Sequence, residues 1–192
     1  MNWSAPLSLT AARIVYLGQE KIRVPVRRET LAYAVARGHF VAFLDGDDTY
    51  FPAFLSEQLE LIRGHGGYDL VYADCDEFWL PSTPDGSTNM DVNPSRGAVD
   101  AEGLIRRPLQ RDYLRGTGGR DLIVEVGLFD ETLRNSQDFD LWIRLAKHGA
   151  RFNYQRKVLG RQADLRRSLA SDPVKSFTGE LQVLERQACV TI

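Results

Sequence analysis

Short apolar runs alternate with amphipathic segments through the first 80 residues of the chain. The pattern predicts strands over 13–18, 39–45 and 68–79, and helices over 27–38 and 52–67. The run 39–45 (HFVAFLD) is almost continuously apolar, as expected for a strand buried on both faces of a parallel sheet. In the second helix, the spacing of Leu55, Leu59 and Ile62 predicts the inner face. Strands and helices in alternation predict an α/β fold with right-handed crossovers.

A polar, proline-rich and glycine-rich segment interrupts this alternation. It occupies 81–120, where the composition predicts a variable loop region, and it ends in a predicted glycine-rich turn at 114–121. A final strand is predicted over 150–162 and a C-terminal helix over 172–192. No internal repeat or domain boundary is visible, so a single domain over 1–192 is expected.

A further helix is predicted over 136–149. Ser136 or Asp138 would cap its start, and Gly149 would end it. Three apolar positions are predicted to form its inner face: Leu141, Leu145 and Ala146.

Composition narrows the class of protein. The chain has 192 residues, of which 43% are hydrophobic and 26% charged, and this suits one α/β domain with a substantial core. A net charge of −2 argues against a general nucleic-acid binder. Cys75 and Cys189 form neither a disulfide framework nor a zinc motif, which favours a reducing, cytoplasmic setting. No run reaches the ~18 apolar residues of a transmembrane helix.

Three carboxylates follow the predicted strand at 39–45, in the sequence FLDGDDTYFP. In open α/β sheets ligands bind at the carboxyl ends of strands, where Asp45, Asp47 and Asp48 are expected. Clustered carboxylates repel one another unless a cation neutralises them, and Mg²⁺ or Mn²⁺ takes oxygen ligands while sharing a substrate's phosphates. An equally weighted alternative is a solvated acidic turn that caps the next helix.

Two further carboxylates, Asp138 and Asp140, lie in the first turn of the predicted helix at 136–149. Helix capping is the preferred interpretation for Asp140. Asp138 gains a second interpretation when the two acidic groups are considered together. A metal–diphosphate site and a separate carboxylate base are what group transfer from a nucleotide donor to a hydroxyl requires.

The motifs ARGHFVAFLDGDD, DLVYAD, VGLFDETL and SQDFDLWIRL occur in this order between about 14 and 170. Together they resemble the family 2 nucleotide-sugar glycosyltransferases of the GT-A fold. That resemblance implies a mostly parallel sheet flanked by helices. It also implies that a sugar moves from a nucleoside-diphosphate donor, expected to be a UDP-sugar, to a saccharide or lipid-linked acceptor, with inversion. The family works in polysaccharide assembly, which fits a cytoplasmic location, including a peripheral one at the inner membrane face.

Carried over by position, the resemblance assigns roles to individual residues. Asp45 and Asp47 would be the D-x-D pair, with Asp47 the direct ligand of Mn²⁺ or Mg²⁺, and Asp48 would shape the turn. Asp138 would be the catalytic base. Arg28 lies near the arginine of the family's A-R-N segment and would contact the donor. Two residues of the base's helix are expected to fix it rather than touch substrate: Trp142 and Arg144.

Three departures from the family pattern matter. Gln137 replaces the glutamate that usually precedes the base, and residues 1–13 resemble no family segment. The family's N-terminal strand and helix, which hold the nucleotide base, have no counterpart, so the fold is expected to be N-terminally truncated. This loss leaves open an alternative, a non-catalytic or fragmentary relative that binds an acceptor or a partner chain. A nucleotidyltransferase ranks last, because no early glycine-rich phosphate loop is present.

The segment 151–172 is basic. Arg161, Arg166 and Arg167 could face a diphosphate or an anionic lipid, because arginine suits phosphate. A solvated surface strand and loop is an alternative of at least equal weight.

Overall fold

The computed structural model describes residues 14, 26–64, 66–77, 116–162 and 173–189. The described helices are α1 (Val26–Val35), α2 (Phe54–Arg63), α3 (Arg120–Glu125), α4 (Gln137–Lys147) and α5 (Pro173–Cys189). The described strands are β1 (Phe40–Ala42), β2 (Thr49–Tyr50), β3 (Leu70–Glu77), β4 (Gly116–Gly119) and β5 (Phe152–Gln162). The predicted helices, and the predicted strands at 39–45, 68–79 and 150–162, are present with shifted ends, and the α/β class is confirmed. Apart from residue 14, which is in no strand, the predicted strand at 13–18, the extension at 1–13 and most of the region 81–120 lie outside the described residues.

The described strands form one sheet in the order β1-β4-β3-β5-β2. β3 and β5 are parallel, with Leu70 opposite Phe152, whereas the pairs β1/β4, β4/β3 and β5/β2 are antiparallel. β1, β3 and β5 therefore run in one direction, while β4 and β2 run against them, so the described sheet is mixed rather than mostly parallel. The carboxyl ends of β1, β3 and β5 consequently meet at one edge, and that edge is where ligands collect in α/β sheets.

The glycine-rich segment is a strand within the sheet, so the predicted turn at 114–121 is wrong over its described residues. β4 lies between β1 and β3, and a Cβ on Gly116 would be 2.1 Å from the Val71 carbonyl oxygen. The backbones approach so closely there that glycine is required. Because glycine has low strand propensity, a pattern search assigns such a segment to a turn.

Helices cover both faces of the sheet. On one face α4 buries Leu141, Leu145 and Ala146, as predicted, in a cluster that includes Leu70 and Phe152. On the other face, α2 packs against β3 and β5 through Phe54, which contacts the cluster of Ala73 and Leu159.

The predicted inner face of α2 is only partly right. Phe54, Gln58 and Ile62 are the buried residues, whereas Leu55 is 52% exposed. Phe54 stacks on Tyr50 of β2, with ring centroids 3.6 Å apart. This tertiary contact sets the rotation of the helix, and a count of apolar spacings within the helix does not include it.

The C-terminal helix α5 lies against α4. Leu133, Ile143 and Val183 are fully buried and form the apolar part of this contact. Beside them, Arg186 donates to Asp130 at 2.9 Å and to the Thr132 hydroxyl at 2.8 Å. Burial opposes the ionisation of Asp130, but hydrogen bonds from Thr132 and the charges of Arg186 and Arg144 lower its pKa overall. An ion pair therefore joins the segment before α4 to α5.

Asp130→Asn should reduce stability at neutral pH and leave it unchanged in acid. Because the folded-state pKa of Asp130 lies below the unfolded-state value, its carboxylate stabilises the fold above the unfolded-state pKa, and this contribution disappears as the pH falls through the folded-state pKa. We expect a loss of about 0.5–1 kcal/mol at pH 7, given a partly exposed pair, measured by urea unfolding from neutral to acid pH. Asp121→Asn, at an exposed site on α3, is the control. An equal loss at every pH would contradict the assignment.

Candidate functional site

The acidic turn, residues 45–48, joins β1 to β2. Its backbone is closed by a hydrogen bond from the Asp48 amide to the Asp45 carbonyl at 3.1 Å. Asp45 and Asp47 are exposed and Asp48 is half-buried. Among the described residues, Asp47 makes neither a hydrogen bond nor an ion pair. The turn thus presents two carboxylates to solvent from a fixed backbone.

Tyr50 anchors this turn to the sheet. Its hydroxyl donates to the Phe43 carbonyl on the other side of the turn, and in the sheet Tyr50 pairs with Gly160 of β5, which is itself opposite Cys75 of β3. Burial raises the pKa of Tyr50 well above its ordinary value, and the nearby Cys75 and Asp45 add to the increase. The acidic turn therefore lies at the carboxyl ends of β3 and β5.

The alternative interpretation, a turn that caps the next helix, finds no support at α2. The N-cap residue of that helix is Ala53, which provides no side-chain cap, and the acidic turn ends five residues earlier. The side chain of Ser56 instead donates to the Ala53 carbonyl at 2.9 Å. α2 thus begins without an acidic cap residue.

Arg161 places a positive charge beside the acidic turn. It is exposed at the end of β5, where it pairs in register with Thr49, the residue that follows Asp48. Its guanidinium lies 5.7 Å from the centre of the Phe51 ring, a cation–π distance. Of the other predicted basic contacts, Arg166, Arg167 and the side chain of Arg28 lie outside the described residues.

Asp138 lies in the first turn of α4. Ser136 occupies the N-cap position as predicted, but it has φ 57° and makes no side-chain cap bond. Asp138 is half-buried, and its Oδ1 accepts the Phe139 amide at 2.9 Å. Within the described part of the chain, its other oxygen makes no hydrogen bond or ion pair. That oxygen is available to accept a proton.

Asp140 and Arg144 form a structural pair. This agrees with the role predicted for Arg144, whereas Asp140, for which helix capping was predicted, binds the side chains of Arg144 and Gln187 instead. Arg144 Nε donates to Asp140 Oδ2 at 2.8 Å, and its two remaining nitrogens donate to the carbonyls of Val126 and Leu128 at 2.6 Å. Asp140 is 2% exposed, so its carboxylate is stabilised by hydrogen bonds from protein side chains rather than by water. Arg144 thereby fastens α4 to the segment that follows α3.

The topology brings Asp138 and the acidic turn to one edge of the sheet. Four residues connect the end of α4 to the start of β5, so the first turn of α4 points toward the carboxyl end of β5. The rings of Phe43 and Trp142 lie 5.8 Å apart. Phe43 precedes Asp45 by two residues, and Trp142 follows Asp138 by one helical turn. The acidic turn and Asp138, which are distant in sequence, are thus linked in the structure by one contact between aromatic side chains.

The acidic turn fits a hard divalent cation by the chemistry of its donors. Mg²⁺ and Mn²⁺ bind carboxylate oxygens and usually complete their shell with water and substrate phosphates. Among the described residues, no group of three or more His, Cys, Asp or Glu side chains could hold a metal ion. The turn itself offers the exposed carboxylate oxygens of Asp45 and Asp47, which are of the ligand type that these ions take.

Two residues that shape the site escaped prediction. Tyr50 could have been noticed as the aromatic residue directly after the acidic turn, in a segment with strand propensity. Gln187 donates to Asp140 Oδ1 at 2.8 Å across a separation of 47 residues. No local pattern signals such a contact.

Curated proteins similar to this chain include glycosyltransferases. No known family profile matches it. An uncharacterized glycosyltransferase of Methanocaldococcus jannaschii is 23% identical over 73% of this chain and 47% of that protein. A succinoglycan biosynthesis protein of Rhizobium meliloti is 26% identical over 69% of this chain and 41% of that protein. The chain thus spans less than half the length of these relatives.

Solved structures of S. aureus TarS share the fold. TarS in complex with UDP superimposes with a TM-score of 0.60 at 16% identity, over 84% of this chain and 44% of TarS. The complex with UDP-GlcNAc gives a TM-score of 0.59 at 18% identity, over 78% of this chain and 41% of TarS. At this level of identity the match establishes an α/β fold of the TarS type. None of the described helices is long and apolar enough to cross a membrane.

Proposed function

We propose that the chain is the catalytic part of a nucleotide-sugar glycosyltransferase of the GT-A family 2 type. The observation that carries the proposal is that the acidic turn and the first turn of α4 lie at the same edge of the sheet, near the contact between Phe43 and Trp142. Sequence similarity to proteins named glycosyltransferases and the TarS fold support it. The observed UDP and UDP-GlcNAc complexes of TarS favour a UDP-sugar as donor.

The acidic turn would bind the donor's diphosphate. Asp47, with Asp45, would hold Mn²⁺ or Mg²⁺, which when bound offsets the negative charge of the departing nucleoside diphosphate. Both carboxylates are exposed at the carboxyl edge, where a ligand can reach them. Arg161 adds a fixed positive charge next to the turn, and guanidinium groups suit phosphate oxygens.

Asp138 would act on the acceptor, a saccharide or lipid-linked hydroxyl. The acceptor oxygen forms a bond to the anomeric carbon as the bond from that carbon to the diphosphate oxygen breaks, with inversion. The acceptor's proton passes to the free oxygen of Asp138. Phe139 holds the other oxygen through its amide and so orients the carboxylate. The diphosphate leaves with the electron pair of the broken bond.

UDP together with Mn²⁺ should raise the melting temperature of the protein. At a free UDP concentration a hundredfold above its Kd, stabilisation is about 2.7 kcal/mol, which corresponds to roughly 5–10 °C for a chain of this length. Differential scanning fluorimetry with UDP, GDP, Mn²⁺ and EDTA measures the effect, with AMP as a control that lacks a diphosphate. If no nucleoside diphosphate shifted the transition at any metal concentration, the proposal would fail and the non-catalytic alternative would stand.

A further inference from the structure

Helix α5 contacts the chain on both sides of Asp138. Three residues before it, Asn135 Nδ2 donates to the Lys175 carbonyl at 2.7 Å. Two residues after it, Asp140 Oδ1 accepts Gln187 Nε2 at 2.8 Å. One helix thus holds both ends of the short segment that carries the proposed base.

The contact after Asp138 is buried and charged. Asp140 is 2% exposed and Gln187 is 9% exposed, and the two carboxylate oxygens are divided between Gln187 and Arg144. Hydrogen bonds to a buried charge are stronger than neutral ones, and leaving such a charge short of a donor is costly. Gln187 therefore fixes the position of the first turn of α4 relative to α5.

The contact before Asp138 depends on a glycine. A Cβ on Gly179 would lie 2.3 Å from the Asn135 Oδ1, so only a residue without a side chain lets Asn135 lie against α5. Ser136, the next residue, has φ 57°, a left-handed conformation that is sparsely populated by non-glycine residues. A backbone in this conformation persists where surrounding contacts stabilise it. The hydrogen bond from Asn135 to α5 provides part of that stabilisation.

We propose that α5 positions the catalytic base: Gln187 and Asn135 together hold the segment 135–140 so that Asp138 faces the acceptor. This inference rests on the proposed function. Gln187 is buried and binds Asp140, so it would act through Asp140 and is a positioning residue. It should therefore affect the chemical step and leave donor binding unchanged.

Gln187→Met tests this role, because methionine keeps the length of the side chain and removes the donor to Asp140. The probe reaction is Mn²⁺-dependent release of UDP from UDP-GlcNAc and other UDP-sugars, with water as acceptor. We expect kcat to fall roughly tenfold or more, as small misplacements of a catalytic group do, with KM for the donor and Kd for UDP unchanged. Gly179→Ala, which displaces Asn135, should act in the same direction.

Gln155→Met is the matched control. Gln155 is a hydrogen-bonded amide that links β5 to Gln58 of α2, away from α4. Equal kcat values for the Gln187 and Gln155 variants would overturn the proposal. Amide hydrogen exchange provides a readout independent of activity. The amides of Phe139 and Asp140, which are hydrogen-bonded in this segment, should exchange faster in Gln187→Met, and unchanged exchange there would also overturn the proposal. If the wild-type protein bound no UDP with Mn²⁺, the proposed function would fail, while the exchange measurement would still decide whether α5 holds the segment.

Discussion

Asp47→Ala should abolish metal-dependent UDP binding. Changes to residues that merely support a metal ligand weaken binding 10–100-fold, so loss of a direct ligand is expected to raise the Kd for UDP in Mn²⁺ by more than about a hundredfold. The rise in melting temperature caused by UDP and Mn²⁺ should then vanish. Isothermal titration calorimetry with and without Mn²⁺ measures the change, and the unliganded melting temperature should stay close to wild type, because Asp47 is exposed.

The comparison with other acidic positions makes this test selective. Asp45→Ala should weaken binding as well, whereas Asp121→Ala, which removes an exposed carboxylate from α3, should bind UDP like the wild type. If Asp47→Ala bound UDP and Mn²⁺ normally, the acidic turn would not be the metal site. If all three variants lost binding equally, the effect would come from net charge rather than from the turn.

The fold was predictable wherever local periodicity and tertiary packing agree. α4 is the plainest case, because Leu141, Leu145 and Ala146 follow helical spacing and all three are buried. Prediction failed at β4, where the strand is defined by close approach of the Gly116 backbone to Val71. It failed at Leu55, because the stack of Phe54 on Tyr50 sets the rotation of α2. Both failures come from contacts between segments, which a single-chain pattern does not contain.

The candidate site, like the fold, could be predicted only in part from the sequence. The carboxylates of the acidic turn and Asp138 were visible as motifs, because the proposed metal binding and base catalysis would restrict residue type locally. The position of the acidic turn and Asp138 at the same edge of the sheet follows only from the observed strand order. The sequence pattern did not provide that order, because β4 lies between strands that the pattern predicted. The hydrogen bond from Gln187 to Asp140 could not be predicted, because it joins two helices and neither residue belongs to a recognisable local motif.

Asp138→Asn should stop sugar transfer while leaving donor binding intact. The amide oxygen of asparagine can still accept the Phe139 amide, so the first turn of α4 should keep its structure. The amide cannot accept the acceptor's proton, and a positioned general base typically contributes 10²–10⁴-fold to the rate. We expect a fall in kcat within that range, measured as UDP release, with the Kd for UDP in Mn²⁺ unchanged.

The paired results for Asp138 and Asp47 separate the two halves of the proposed site. Suppose that Asp138→Asn binds UDP without turnover and that Asp47→Ala binds no UDP. This pair of results would show that donor and acceptor chemistry reside in different segments of this chain. Full activity of Asp138→Asn would instead mean that another group takes the proton. Loss of UDP binding in the same variant would mean that the first turn of α4 belongs to the donor site, and the role of α5 would then be to shape donor binding.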